Sequence, residues 1–185
     1  GGTQLFSKKP ELFAPDAWPG YYLKAHGVHI YDLDNRKYLD MSIMNVGACI
    51  LGYADKDVDR AVKNAIVNGV SSSINPVEEF ELANILLKIH PWAKKVRFAR
   101  GGGEAMSIAI RIARAHTKRD KILFSGYHGW NDWYLSSNIQ SKKNLNKFLL
   151  SGLDPAGVPK SLINSAIRGY DTNIDSLKKK IKKKE

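Results

Sequence analysis

Apolar and polar positions alternate along the first part of the chain and later recur every three or four residues. Alternation runs through "YYLKAHGVHIYDLDNRKYLDMS", residues 21–42. It predicts strands, with "DLDNRKY" as the turn between "GVHIYD" and "KYLDMS". In "DKDVDRAVKNAIVNG" the period changes. Val58, Ala61, Val62, Ala65 and Ile66 fall at helical spacing, and Gly69 is placed to end the helix. "SSSINP" reads as a loop. "PVEEFELANILLKIHP" reads as a second helix, opened by Pro76 and closed by Pro91. Next comes "AKKVRFAR", a short strand with Val96 and Phe98 on one side. A helix follows from Glu104 to about Thr117, then the compact apolar strand "KILF", 121–124. In that helix the polar positions Glu104, Ser107, Arg111 and Arg114 leave Met106, Ile108, Ala109, Ile110, Ile112 and Ala113 for a broad buried surface. A strand–helix–strand order of this kind predicts an α/β fold with a mainly parallel sheet covered by helices. Beyond Tyr134 the pattern weakens. "GLDPAGVP" is a loop, and the last stretch is a basic helix.

With 185 residues, 43% of them hydrophobic and 25% charged, the chain can bury a real core. No apolar run reaches the roughly 18 to 20 residues of a membrane span. The opening "GGTQLFSKKPELF" carries no apolar core of a secretory signal. The single cysteine, Cys49, excludes an internal disulfide and fits a reducing, cytoplasmic setting. The formal net charge is +11, and "SLKKKIKKKE" alone holds six lysines. A run like this could contact nucleic-acid phosphates. No aromatic residue is interleaved with it for stacking on bases, so the expectation is a solvated helix face and no nucleic-acid partner.

Three consecutive glycines, Gly101, Gly102 and Gly103, stand where a helix opens. A glycine turn there exposes backbone N–H groups that the helix dipole makes attractive to an anion. Missing Cβ atoms let phosphate oxygens come close. The same glycines could serve only to let neighbouring elements pack, and the local pattern leaves both readings open. Two familiar phosphate loops are excluded. A Walker A loop requires Gly-Lys-Ser/Thr, whereas these glycines run into Glu104 and Ala105. A dinucleotide fingerprint requires a further glycine and an acid ending the next strand, whereas Phe124 is followed by Ser125. A nucleotide is therefore not the expected ligand.

"FSGYHGWNDWYLSS", 124–137, follows a strand at the sheet edge where α/β proteins hold ligands. Tyr127 and His128 are the functional candidates, because an aromatic side chain there can stack on a flat ligand. Trp130 and Trp133 are expected to pack onto the core. His26, His29, His90 and His116 lack the spacing of a metal site, and no metal is expected.

Taken together, the glycine turn, "AIRIARAHTKRDKI" and "GYHGW" resemble the class III aminotransferases, pyridoxal-phosphate enzymes of the type I fold, and within them the branch similar to glutamate-1-semialdehyde aminomutase. "YLKAHGVHIYDLDNRKYLD", "GACILGYADKDVDRAV" and "INPVEEFELANIL" match the same family in the same order, over most of residues 9 to 175. The resemblance implies a partial type I fold. Residues 1–70 would be a segment of the N-terminal small domain, and 71–185 the first part of the large domain that binds pyridoxal 5'-phosphate.

The family's glycine turn usually reads Ser-Gly-Thr-Glu-Ala. Gly101 stands in place of the serine and Gly103 in place of the threonine, so both hydroxyl donors are gone. The resemblance carries phosphate binding onto Gly102 and Gly103, with Gly101 adjacent, and cofactor contact onto Tyr127 and His128. Ser42 and Asn45 lie where the family's N-terminal segment approaches substrate. The substrates implied are a small amino donor and a carbonyl acceptor, and the implied assembly is a homodimer. Family members run to roughly twice this length or more. Their Schiff-base lysine, and the aspartate pairing with the pyridine nitrogen, fall in the half not matched here. No lysine of this chain has the matching context. The expectation is a portion of an aminotransferase or aminomutase that is inactive alone. The alternatives are a non-catalytic phosphate- or ligand-binding module and a basic nucleic-acid-binding protein.

Overall fold

The computed structural model describes residues 5, 8–12, 14, 16–169 and 174–182. The chain divides into two compact units, residues 1–81 and 82–185.

The first unit holds a three-stranded antiparallel sheet of β1 (Lys24–His26), β2 (His29–Tyr31) and β3 (Lys37–Leu39). Ile30, opposite Ala25 on one side and Tyr38 on the other, is its buried centre. The alternating segment therefore forms the hairpin its pattern predicts. Two buried aspartates fix the turns. One oxygen of Asp32 accepts the backbone N–H groups of Asp34 and Arg36 at 3.0 and 2.8 Å, and the other accepts the Tyr38 hydroxyl at 3.0 Å. Asp40 accepts the N–H of Ser42 and the hydroxyl of Tyr53.

Helix α1 (Lys56–Asn68) starts at Asp55, whose carboxylate accepts the N–H groups of Asp57 and Val58. It ends at Gly69, which adopts φ 98°, a conformation costly for a residue with a Cβ. The apolar stripe expected along α1 is present at helical spacing, but Val58, Val62 and Ile66 are each about half exposed. Helix α2 (Val77–Ile89) straddles the division between the units.

In the second unit, helix α3 (Gly102–Thr117) leads to β4 (Ile122–Phe124), which pairs in parallel with β5 (Ala166–Arg168). A short helix α4 (Asp132–Leu135) follows β4, and α5 (Ile174–Lys182) follows β5. The core gathers Ile110, Phe124, Trp133, Tyr134, Leu145 and Ala166. The expected strand at 93–100 does not form, and that stretch is irregular. A strand needs a partner for its ladder, and the parallel ladder of this unit is β4 with β5. The buried surface of α3 is also narrower than its composition suggests: Ile110 is buried, while Ile112 is 58% exposed. The basic tail is helical through Lys182, with Lys178 and Lys179 exposed; Lys183 and Lys184 lie outside the described residues.

Gly169 follows β5 and donates to the carbonyl of Phe124 at 2.6 Å. A Cβ at Gly169 would stand 2.8 Å from that oxygen, so only glycine fits. The irregular stretch after α4 is organised by Asn138, which is wholly buried. Its amide donates to the carbonyl of Leu153 at 2.7 Å, and its oxygen accepts the N–H of Leu145 at 3.0 Å.

Asn138→Ala removes both bonds and leaves two backbone groups without this partner. We expect a loss of about 2–6 kcal/mol, at roughly 1–3 kcal/mol for each of the two unsatisfied groups, read by denaturant unfolding. Asp40 generates a pH dependence. Burial pushes its carboxyl up, but the bonds from Ser42 and Tyr53 outweigh this and hold it below the ordinary value of 3.8. Folding therefore favours the ionised form. Its stabilisation is complete above the unfolded value and fades as pH falls through the lower folded value. Unfolding midpoints measured from pH 6 downward should fall at the acid end, with a shallower acid slope in Asp40→Asn. An identical slope in the two proteins would refute this role for Asp40.

Candidate functional site

Helix α3 opens at Gly101, which is extended at φ −153° and ψ 160° and supplies no side-chain cap. The first bond of the helix runs from the N–H of Ala105 to the carbonyl of Gly101 at 3.0 Å. The N–H groups of Gly102, Gly103 and Glu104 thus have no acceptor within the helix, as the first turn of any α-helix dictates. Glu104 could have spent its carboxylate on the turn. It reaches back instead and accepts the N–H of Arg100 at 2.8 Å, a variation on the capping box.

A Cβ built on Gly101 or Gly102 would meet nothing within 4 Å. Space in front of these two residues is open. Gly103 differs, because a Cβ there would stand 3.1 Å from Nδ2 of Asn131.

Asn131 comes from the loop after β4. Its Nδ2 donates to the carbonyl of Gly103 at 2.7 Å and to Oγ of Ser107 at 3.0 Å, and Ser107 Oγ donates to the same carbonyl at 3.0 Å. In the same loop Gly129 approaches so closely that its Cβ would lie 3.7 Å from Cα of Gly103. The structure therefore brings the glycine turn and the aromatic loop together.

Tyr127 is half-buried, with its ring edge-on to Tyr134 at 6.0 Å between centroids. Tyr134 is wholly buried. Burial first, and then the neighbouring Tyr127, push its hydroxyl up to about 12, so it is a neutral phenol at ordinary pH. It donates to the carbonyl of Gly126. Nε2 of His128 lies 2.7 Å from the carbonyl of Ser125. A carbonyl oxygen can only accept, so Nε2 carries the proton and a neutral ring keeps Nδ1 as its acceptor. The ring of His128 packs beside Phe124, Trp133 and Tyr134.

Trp133 is buried, as its pattern predicts. Trp130 is not: it is 77% exposed, because positive φ values at Gly126 and Gly129 carry the chain through a turn that points it away from the core. Ser42 and Asn45 stand in the first unit and are both exposed. The N–H of Ser42 bonds to Asp40, and Asn45 lies in a left-handed stretch with Met44, Val46 and Gly47.

Sequence patterning missed Asn131. An asparagine opening a helix reads as an N-cap, and nothing local announces that its side chain serves a different helix. Among the described residues, no cluster of three His, Cys, Asp or Glu side chains is arranged to hold a metal, and no helix is long and apolar enough to cross a membrane.

Comparison with known proteins adds a family to this geometry. Residues 14–184 match the family described as aminotransferase class-III. Glutamate-1-semialdehyde 2,1-aminomutase of Campylobacter hominis is 34% identical over 164 residues, which is 88% of this chain and 35% of that protein. The enzyme of the same name from Sulfurisphaera tokodaii is 32% identical, over 98% of this chain and 45% of that one. Among solved structures, an omega-transaminase from Sphaerobacter thermophilus superposes with a TM-score of 0.75 at 30% identity, covering 88% of this chain and 38% of its own. The chain thus spans less than half the length of the relatives it matches.

Proposed function

From the premise that this chain belongs to the class-III aminotransferases and carries part of their type I fold, we propose that it works in pyridoxal-phosphate-dependent transfer of an amino group, as an aminotransferase or aminomutase. The observation that carries the reading is the first turn of α3, with open space before Gly101 and Gly102 and the aromatic loop held against Gly103. The bound cofactor would supply the electron sink on which amino-group chemistry depends.

The residues present fit its phosphate. Three backbone N–H groups without helical acceptors would face the phosphate at the positive end of the helix. Gly101 and Gly102 have no Cβ to keep phosphate oxygens away, and Glu104 is turned back to Arg100. With no hydroxyl at 101 or 103, the anchoring rests on backbone donors. Tyr127 is the residue we assign to stack on the cofactor ring, and His128 holds the loop in shape through its bond to Ser125.

On this reading residues 1–70 are a small-domain segment, with Ser42 and Asn45 as the substrate candidates in it, and residues 71–185 begin the cofactor domain. A small amino donor and a carbonyl acceptor are the substrates. A lysine from the part of the family fold not matched by this chain would complete the site. We read the lysine tail as a solvated face, not a nucleic-acid site. Cytoplasmic work belongs to the same proposal and rests on the lone thiol of Cys49.

Gly102→Val is the sharpest test. Gly102 is helical, and its added side chain meets open space, so the fold should tolerate the change. The side chain would fill the space we assign to phosphate. Affinity for pyridoxal 5'-phosphate, read by calorimetry, should drop at least tenfold, with a larger loss than Tyr127→Ala, whose aromatic contact is worth roughly 0.5–1.5 kcal/mol. Unchanged affinity in a folded Gly102→Val protein would make the glycines a packing turn. Tight binding of the cofactor by a protein that, extended to the family's full length with its lysine, transfers no amino group would favour the binding-module alternative.

A homodimer is the assembly we infer. Met41, Ile43, Val46, Ile50 and Leu51 are each at least 69% exposed, an apolar surface that association would cover. Sedimentation at working concentration should report a dimer for the active, full-length protein, and a monomer of full activity would defeat the inference.

A further inference from the structure

We propose that Asn131 is a positioning residue that locks the aromatic loop onto the first turn of α3, and that position 103 is glycine here because the Asn131 amide occupies the space beside it. This rests on the cofactor reading above for its purpose, but not for its geometry. Three observations converge.

Asparagine is among the preferred N-cap residues, because its side-chain oxygen can accept an N–H of the helix it opens. Asn131 opens α4 and makes no such bond. It spends both protons of its amide on α3 instead, one on the Gly103 carbonyl at 2.7 Å and one on Ser107 Oγ at 3.0 Å. The orientation of the amide follows from chemistry, since a carbonyl can be met only by the NH₂ end.

The second observation is steric. A Cβ at 103 would stand 3.1 Å from Nδ2, so a side chain there and the Asn131 lock compete for one space. Positions 101 and 102 carry no such restriction. The third is the approach of Gly129 to Gly103: a Cβ on Gly129 would stand 3.7 Å from Cα of Gly103, so the two backbones run close together beside the lock.

The consequence concerns the spacing between two subsites. The N–H groups of the turn belong to α3, and Tyr127 and His128 belong to the loop. A ligand that reaches both must find them at a fixed separation, and pre-organisation of that separation supports its affinity. A ligand that touches only the turn gains nothing from the lock. Inorganic phosphate and pyridoxal 5'-phosphate are therefore discriminating probes.

The chosen variant is Asn131→Ser. Serine caps α4 well, so the helix should survive, yet it is too short to repeat both bonds to α3. Pyridoxal 5'-phosphate affinity should fall about tenfold, the worth of two ordinary hydrogen bonds, while inorganic phosphate affinity should stay within about twofold on the same basis. Amide hydrogen exchange over 125–131 in the ligand-free chain should speed up about tenfold for the same reason. Gly103→Thr should free the same segment by displacing the Asn131 amide, and the double variant should exchange no faster than Asn131→Ser alone.

Unchanged exchange in Asn131→Ser, or additive effects in the double variant, would overturn the lock. Equal losses for both ligands would overturn the positioning role and make Asn131 a support of the turn only. If the parent binds neither ligand, the cofactor reading fails, and the exchange measurements alone decide the lock.

Discussion

The carbonyl of Phe124 is where the second unit is tied together. It ends β4 and accepts the N–H of Gly169 at 2.6 Å, beyond the register of the parallel pair. The two strands are short, and a two-stranded sheet of that length has little independent stability. What stabilises it is the packing around the Phe124 ring, which meets His128, Trp133, Tyr134 and Phe148 at centroid distances of 5.2–6.2 Å. The contacts with His128, Trp133 and Tyr134 are edge-on, and such contacts add to the burial of each ring. They also set where the chain goes on leaving β4, because His128, Trp133 and Tyr134 all lie in the next ten residues. The shape of the loop is thus a consequence of the core. Positive φ at Gly126 and Gly129 lets the chain turn tightly enough for His128 to reach the core and for Asn131 to reach α3.

Legibility in the sequence followed the range of the interactions involved. The hairpin, α1 and α3 are readable because their signals are local: alternation, apolar positions at helical spacing, a glycine stop at Gly69. The stretch at 93–100 has the pattern of a strand and forms none, because pairing is a property of two segments, and the sequence of one shows only its willingness to pair. Trp130 and Trp133 have the same composition signal and opposite fates, 77% and 6% exposed. Three residues of spacing across the start of α4 separate them, and composition does not say which ring faces inward. The glycine turn and the aromatic loop were each visible as candidates. Their juxtaposition was not, since the side chain that joins them looks like an ordinary helix cap.

Exposure along the first unit carries a different lesson. Helical periodicity in α1 is genuine, yet the described residues leave its apolar stripe about half exposed. Periodicity reports that a face is meant to be covered and is silent on what covers it. In a chain spanning less than half the length of its relatives, such a face is as informative as a buried one, because it marks surface whose partner must be sought outside these residues.

Three adjacent glycines turn out to do three different things, and the difference bears on how the run should be understood. Gly101 takes an extended conformation open to any residue, so its value lies in what it lacks: a capping side chain would have claimed one of the N–H groups of α3. Gly102 is helical and unobstructed, so nothing in the chain itself forbids a side chain there. Packing gives no reason for a glycine there, and the phosphate site proposed above would give one. Gly103 is constrained from within by Asn131. A glycine crowded by a neighbouring side chain and a glycine with open space before it are thus adjacent in this turn. A substitution at 103 confounds folding with binding, while one at 102 does not. The distinction follows from where the nearest atom stands, and it makes Gly102, the least conspicuous of the three, the position at which the proposed phosphate site is tested with least interference from folding.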